Sequence, residues 1–327
     1  MTIHNFSDEQ LAGQRLMVGF EGREFNEDLR ELIGRLYIGG LILFSQNIAE
    51  PDQLQRLCRD CQDFAARCGQ PPLVIAVYQE GGPVARMKAP HVTEFSGNPT
   101  MRDEDDARAF AQTTARELSA AGINMDMAPV MDVAPDDHSG IMADRVFGCR
   151  PDHVARMGTA LIETLQAGGV MAVAKHFPGI GRTILDSHLD LPTIREDLEA
   201  MAPIDLPPFR AAIEHRVAGI MLSHILYEKI DPQWPASLSP AVAHRLLRKK
   251  LGYKGVAMTD DLDMGAIGRH IWEVTRVPAI TETITETLRD AEGRSREVEI
   301  ARLNREAVIA LQSAPLRDAR EDLVGAV

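Results

Sequence analysis

Short, almost unbroken apolar runs alternate along the chain with longer amphipathic stretches. The runs are RLMVGF (15–20), GGLILF (39–44), PLVIAVY (72–78), INMDMAPV (123–130), GVMAVAKHF (169–177), GIMLSHI (219–225) and GVAMTD (255–260). They are often β-branched and often follow a glycine, the pattern of strands buried on both faces. Between them lie helical patterns such as AEPDQLQRLCRDCQDFAARCG and SPAVAHRLLRKKLG. The second opens on a Ser–Pro cap signal and closes on two lysines and a glycine, as helices do. Strands alternating with helices imply βαβ units and a parallel sheet.

Seven such units fit an α/β fold of the TIM-like (β/α)8 barrel kind better than an open, doubly wound sheet. An eighth strand is not obvious, and is read as missing or degenerate. IWEVTRV (271–277) alternates apolar and polar positions, so it reads as a half-buried strand or as the start of a helix. From about Thr281 to Gln312 the chain reads as helical and charged. The whole of 1–327 is read as one barrel domain, with 278–327 as its C-terminal helical segment. Polar and charged residues gather at the predicted C-terminal ends of the strands: Gln79-Glu80, Asp132, Lys175-His176, His224 and Asp260-Asp261. In a barrel that is the face where catalytic groups collect.

Composition narrows the class. The formal net charge of −13 argues against nucleic acid or an anionic membrane surface as partner. The opening MTIHNFSDEQLAGQRLMVGF lacks a charged n-region, a long apolar run and a small-residue cleavage site, and no apolar stretch reaches membrane-span length. These features predict a cytoplasmic protein. Of four cysteines, Cys58, Cys61 and Cys68 fall within one predicted helix and Cys149 stands apart. That spacing predicts reduced thiols, not a zinc site.

Three constellations carry candidate chemistry. Lys175-His176-Phe177-Pro178-Gly179-Ile180-Gly181 is followed by Asp186-Ser187-His188. Asp186 can accept a hydrogen bond from one ring nitrogen of His188, leaving the other for proton transfer near neutral pH. Asp-x-His is a weak pattern by itself. Asp260, at the end of a strand in Met-Thr-Asp-Asp, suits a carboxylate nucleophile and equally an N-cap for the segment after it. Asp260, Asp261 and Asp263 alternate as in calcium loops, but the required glycine and distal glutamate are missing, so no metal is expected. Arg86, Arg145 and Lys175 are cations at predicted strand-end loops. They suit sugar hydroxyls, an acyl oxygen or a carboxylate, or else salt bridges to neighbours such as Asp144.

Taken together, these motifs resemble glycoside hydrolase family 3, in its single-domain bacterial β-N-acetylglucosaminidase branch, which acts in peptidoglycan recycling. The matching segments are GQRLMVGFEG, IGGLILFSQNI, QEGG, GINMDMAPVMDV, DRVFG, KHFPGIG with DSH and LP, and GVAMTDDLDMGAI, in the family's order from about residue 12 to 267. The resemblance implies a retaining β-N-acetylhexosaminidase without metal or organic cofactor, acting on a small carbohydrate or muropeptide. It implies Asp260 as nucleophile, His188 as acid/base with Asp186 orienting it, and Arg86, Arg145, Lys175 and His176 lining the sugar subsite. It leaves the oligomeric state unknown.

Three departures stand out. The family's usual Asp-Gln-Glu-Gly-Gly-Arg-Val is Tyr78-Gln79-Glu80-Gly81-Gly82-Pro83-Val84 here; the usual aspartate binds sugar hydroxyls, and Tyr78 in its place reads as a substrate-binding residue that stacks on a sugar, or else as a block to the subsite. The usual histidine of Pro-Gly-His-Gly is Ile180. The usual eighth strand, Ala-Gly followed by an aspartate and an apolar run, is absent between His270 and Pro278. Two rivals therefore stand beside the main reading: a β-glycosidase of altered specificity, and a catalytically impaired sugar-binding descendant.

Overall fold

The computed structural model describes residues 6–135, 140, 142–183, 191–262, 267 and 308–312. Seven parallel strands follow the apolar runs: β1 (Leu16–Val18), β2 (Gly40–Leu43), β3 (Val74–Val77), β4 (Met125–Asp126), β5 (Met171–Phe177), β6 (Gly219–Leu222) and β7 (Val256–Thr259). Each pairs with the next in parallel register, as in Ile42↔Ala76, Ala76↔Met125 and Met258↔Met221. This is a TIM-barrel-like α/β fold. β4 is shorter than its apolar run because Pro129 has no N–H to give the ladder. Val130 still bridges to Lys175 beyond it.

An eighth strand, β8 (Val308–Gln312), closes the barrel by running antiparallel to both β1 and β7. The expected helix over that stretch is thus corrected to a strand. Val308-Ile309-Ala310-Leu311 is an apolar run with two β-branched residues, whereas the helical reading was set by the charged sequence ahead of it. Without β8, β1 and β7 would each present an unpaired backbone edge. The IWEVTRV segment lies outside the described residues.

Helices cover the barrel. α1 (Asp8–Gly13) and α2 (Glu27–Gly34) lead into α3 (Pro51–Arg67), α4 (Glu104–Ala120), α5 (Pro151–Ala167), α6 (Leu198–Met201) and α7 (Leu206–Glu214). The predicted Ser–Pro helix forms at Ala241–Lys250 with π-helical winding, and the Ser239 hydroxyl accepts from the Val242 N–H at 3.2 Å. Cys58 and Cys61 are buried on α3, and burial pushes both thiols up to about 12. They are therefore protonated and unreactive. Among the described residues no helix is long and apolar enough to cross a membrane.

Strand alternation positions the site. Side chains of one parity face the helices, such as Leu41, Leu43, Ile75 and Val77. Those of the other parity fill the lumen: Met17, Ile42, Ala76, Met125, Met127, Val173, Met221 and Met258 form one buried cluster. Methionine suits this tapering space because its unbranched chain fills irregular gaps. Two residues on from Ala76, Val173 and Met258, the same parity brings Tyr78, Lys175 and Asp260 to the C-terminal mouth.

Candidate active site

Glu80 organises one wall of the mouth. Its carboxylate takes a two-point contact from the Arg145 guanidinium, Nη2 to Oε1 at 2.7 Å and Nε to Oε2 at 3.0 Å. The Lys175 ammonium lies 2.5 Å from Oε1. Both Glu80 and Lys175 are buried. Burial alone would favour a neutral Glu80, but Lys175 and Arg145 outweigh it and hold the acid at about 2. Burial also lowers the hold of Lys175 on its proton, with Glu80 opposing that. At 2.5 Å the pair is ionic. Arg145 thus pairs with Glu80, not with its neighbour Asp144. Glu80 reaches this position from a Gly81–Gly82 turn with φ of 81° and 58°. A Cβ at Gly81 would stand 3.3 Å from the Gly97 backbone, so the turn requires glycine.

Tyr78 leans against this wall. Lys175 Nζ sits 4.4 Å from the centre of its ring, and the Arg86 guanidinium carbon 5.7 Å from it. Its hydroxyl lies 3.4 Å from Oδ1 of Asp260. Arg86 also approaches the Phe44 ring at 5.9 Å, and its buried Nε has no hydrogen-bond partner among the described residues. Gln79 holds the segment: its side-chain oxygen accepts from the N–H groups of Arg86 and Met87, and its amide donates to the Met87 carbonyl.

Asp260 follows β7 directly. Its Oδ1 accepts the Asp261 N–H at 2.9 Å. Burial opposes its charge, but His224, His176, the Asp261 N–H and Lys175 together hold the carboxyl below its ordinary value. His224 is buried, its Nε2 lying 2.7 Å from the Asp261 carbonyl and its Nδ1 2.7 Å from the Ser237 hydroxyl. A carbonyl can only accept, so Nε2 carries the proton. Burial lowers the pKa of His224, with Asp260 opposing.

His176 is held by Asp132, whose Oδ2 accepts from the His176 backbone N–H at 3.2 Å and lies 2.8 Å from Nδ1. The other oxygen of Asp132 accepts the Ile180 N–H at 2.8 Å. One buried carboxylate therefore fixes both ends of the His-Phe-Pro-Gly turn. The Ile180 side chain joins the hydrophobic core, which accounts for an apolar residue there. Tyr78, Arg86, Arg145, Lys175, His176 and Asp260 are thus brought together. Asp186 and His188 lie outside the described residues.

Sequence reasoning assigned no role to Glu80, Asp132 or His224, although all three stood at predicted strand ends, and it passed over Asp126. A lone carboxylate inside the apolar run INMDMAPV was the available signal. Asp126 is fully buried; Oδ1 accepts the Gln79 N–H at 3.0 Å, and Oδ2 has no partner among the described residues. Burial raises it to about 8, with the Gln79 N–H and Lys175 opposing. The unfolded chain therefore ionises this group first, and folding stability falls as pH rises from about 4 to about 8. Asp126→Asn should flatten that loss, so that its urea midpoint gains on the parent with rising pH and levels off above about 8. Parallel curves for parent and variant would show that Asp126 does not titrate this way.

Residues 8–283 match the glycosyl hydrolase family 3 N terminal domain. A beta-hexosaminidase from Idiomarina loihiensis is 36% identical over 260 residues, 76% of this chain and 75% of its own length. Another, from Alkalilimnicola ehrlichii, is 37% identical over 262 residues, covering 77% and 73%. Among solved structures, a glycoside hydrolase family 3 β-N-acetylglucosaminidase from Paenibacillus superposes with a TM-score of 0.78 at 40% identity. That match covers 81% of this chain and 51% of the other, so this chain spans about half the length of that protein. A NagZ from Neisseria gonorrhoeae, crystallised with N-trifluoroacetyl-D-glucosamine, superposes at 0.70 with 28% identity over 88% of each chain. With a family-wide match, relatives of the same name and a barrel of the same shape, the chain belongs to glycosyl hydrolase family 3, as a glycoside hydrolase of its β-hexosaminidase branch.

Proposed function

We propose that the chain removes terminal β-linked N-acetylglucosamine with retention of configuration, through a covalent glycosyl-aspartate on Asp260. The observation that carries this reading is an Asp260 carboxyl held ionised at the barrel mouth, with Oδ1 committed to hydrogen bonds and Oδ2 accepting none among the described residues. A carboxylate in that state can attack an electrophilic carbon. In this reading His188, oriented by Asp186, protonates the leaving oxygen and then deprotonates the water that releases the sugar. Arg86, Arg145, Lys175 and His176 line the sugar subsite. The relatives' names and the N-acetylglucosamine derivative bound to the Neisseria protein favour an N-acetylated sugar. The substrate source we propose is peptidoglycan-derived fragments in the cytoplasm. Tyr78 favours a second reading, a β-glycosidase of altered specificity, because a phenol cannot offer sugar hydroxyls the charged acceptor of an aspartate.

A panel of aryl glycosides tests both. The main reading expects turnover of β-N-acetylglucosaminides ahead of plain glucosides. It also expects a loss in His188→Ala of about 10²- to 10⁴-fold on poor leaving groups, shrinking as the leaving group improves. Preference for the plain glucoside would favour the second reading, and no turnover of any glycoside would leave a sugar-binding descendant.

A further inference from the structure

The two oxygens of Asp260 are unequally engaged. Oδ1 accepts the Asp261 N–H at 2.9 Å and faces the Tyr78 hydroxyl at 3.4 Å, and no other hydrogen bond reaches the carboxylate among the described residues. Burial first, then the charges of Asp260 and Asp261, push the Tyr78 phenol well above its ordinary value, so it stays protonated and is the donor. Its ring is held in place: it packs on the lumen cluster, lies under the Lys175 ammonium, and meets Phe44 at 6.5 Å between ring centres. We propose that Tyr78 is a positioning residue for the retaining reaction: with the Asp261 N–H it holds Oδ1, reserves Oδ2 for attack, and shifts the balance between the two chemical steps toward release of the sugar. This rests on the assignment of Asp260 as nucleophile.

The two steps place different charge on Oδ1. In the first, an Oδ2 lone pair forms a bond to the anomeric carbon as the bond from that carbon to the aglycone oxygen breaks. The electron pair leaves with that oxygen, which takes a proton from the acid/base residue. Oδ1 becomes the carbonyl oxygen of an ester and loses negative charge. In the second, a water oxygen bonds to the anomeric carbon and gives a proton to the base. The carbon–Oδ2 bond breaks, and its electron pair returns to the carboxylate. A donor on Oδ1 stabilises the carboxylate over the ester, so it restrains the first step and assists the second.

The test is Tyr78→Phe, which keeps the ring over Lys175 and removes only the hydroxyl. On a nitrophenyl β-N-acetylglucosaminide, kcat should fall about tenfold, the lower end for a hydrogen bond to a charged group. KM should fall by more than kcat does, so that kcat/KM rises, because the first step has lost its restraint. A burst of nitrophenol matching the enzyme concentration should appear, and intact-protein mass should rise by one N-acetylhexosaminyl group during turnover. Unchanged kinetics, or a fall in kcat/KM that tracks kcat without a burst, would overturn the proposal. Asp260→Ala run alongside separates the two failures. If that variant is dead while Tyr78→Phe accumulates no intermediate, the positioning role alone fails. If Asp260→Ala turns over normally, the assignment of the nucleophile fails first.

Discussion

Asp260→Ala should abolish turnover of an aryl β-N-acetylglucosaminide, with a loss on the order of 10⁴-fold or more, the scale seen when a nucleophilic centre is removed. The carboxylate is placed by a short chain of causes. The alternation of β7 turns Val256 and Met258 toward the lumen, and the same parity carries Asp260 to the mouth. The backbone holds it there: its own N–H donates to the Leu222 carbonyl at 3.1 Å, and the Asp261 N–H donates to Oδ1. His224, clamped between Ser237 and the Asp261 carbonyl, steadies the next peptide. Removing the side chain takes away the Oδ1 acceptor but keeps the backbone bond to Leu222 and the His224 contact, so the variant should still fold while losing activity. A variant that is inactive and also unfolded would say nothing about chemistry, so a thermal melt accompanies the assay. Near-normal turnover by a folded variant would place the nucleophile elsewhere.

Glu80→Gln should be the most destabilising single change at the site. The substitution keeps shape and volume but leaves the buried Lys175 ammonium, and the largely buried Arg145, without their counter-charge. Breaking a buried ion pair from one side costs about 3–5 kcal/mol, because the remaining charge cannot regain its water. In urea the midpoint should drop with little change in slope. Adding Lys175→Met should recover part of the loss, since it removes the stranded cation, and that non-additivity separates an electrostatic cause from a packing one. Activity should fall as well, because Lys175 lies under Tyr78 and Arg145 lines the proposed sugar subsite. An unfolding free energy within about 0.5 kcal/mol of the parent, the range of ordinary surface changes, would mean that the three charges are not coupled as the geometry shows.

The strands were legible because a parallel strand covered on both faces must be apolar throughout, and all seven runs became barrel strands. The gathering of charged residues at their ends was legible for the same reason: an ionisable group inside such a run must lie where the barrel opens. What local patterning could not reveal was pairing across long separations. Glu80 and Arg145 meet Lys175 of β5 from segments far apart in the chain, and nothing near Glu80 in sequence distinguishes a charge-balancing carboxylate from an exposed one. Asp132 was likewise visible as a strand-end acid, but its hold on both His176 and the Ile180 backbone depends on the turn beyond β5. The strand at Val308–Gln312 was misread as helix because it is short and follows a long charged stretch, so a helical period was carried through it. An antiparallel strand needs no crossover helix of its own, which removes the sequence cue that marked the other seven. The Ile180 departure turned out to be a core residue, whereas Tyr78 sits among the site residues themselves.

The central claim is that Asp260 becomes covalently bonded to the sugar. Incubation with a fluorinated N-acetylglucosaminyl fluoride, whose good leaving group speeds the first step while ring fluorine slows both, should trap the intermediate for peptide mapping by mass spectrometry. The account predicts a single added sugar on the peptide containing Thr259-Asp260-Asp261, with fragmentation placing it on Asp260. A label on any other residue, or full turnover without a trapped adduct and with an inverted product by proton NMR, would contradict it.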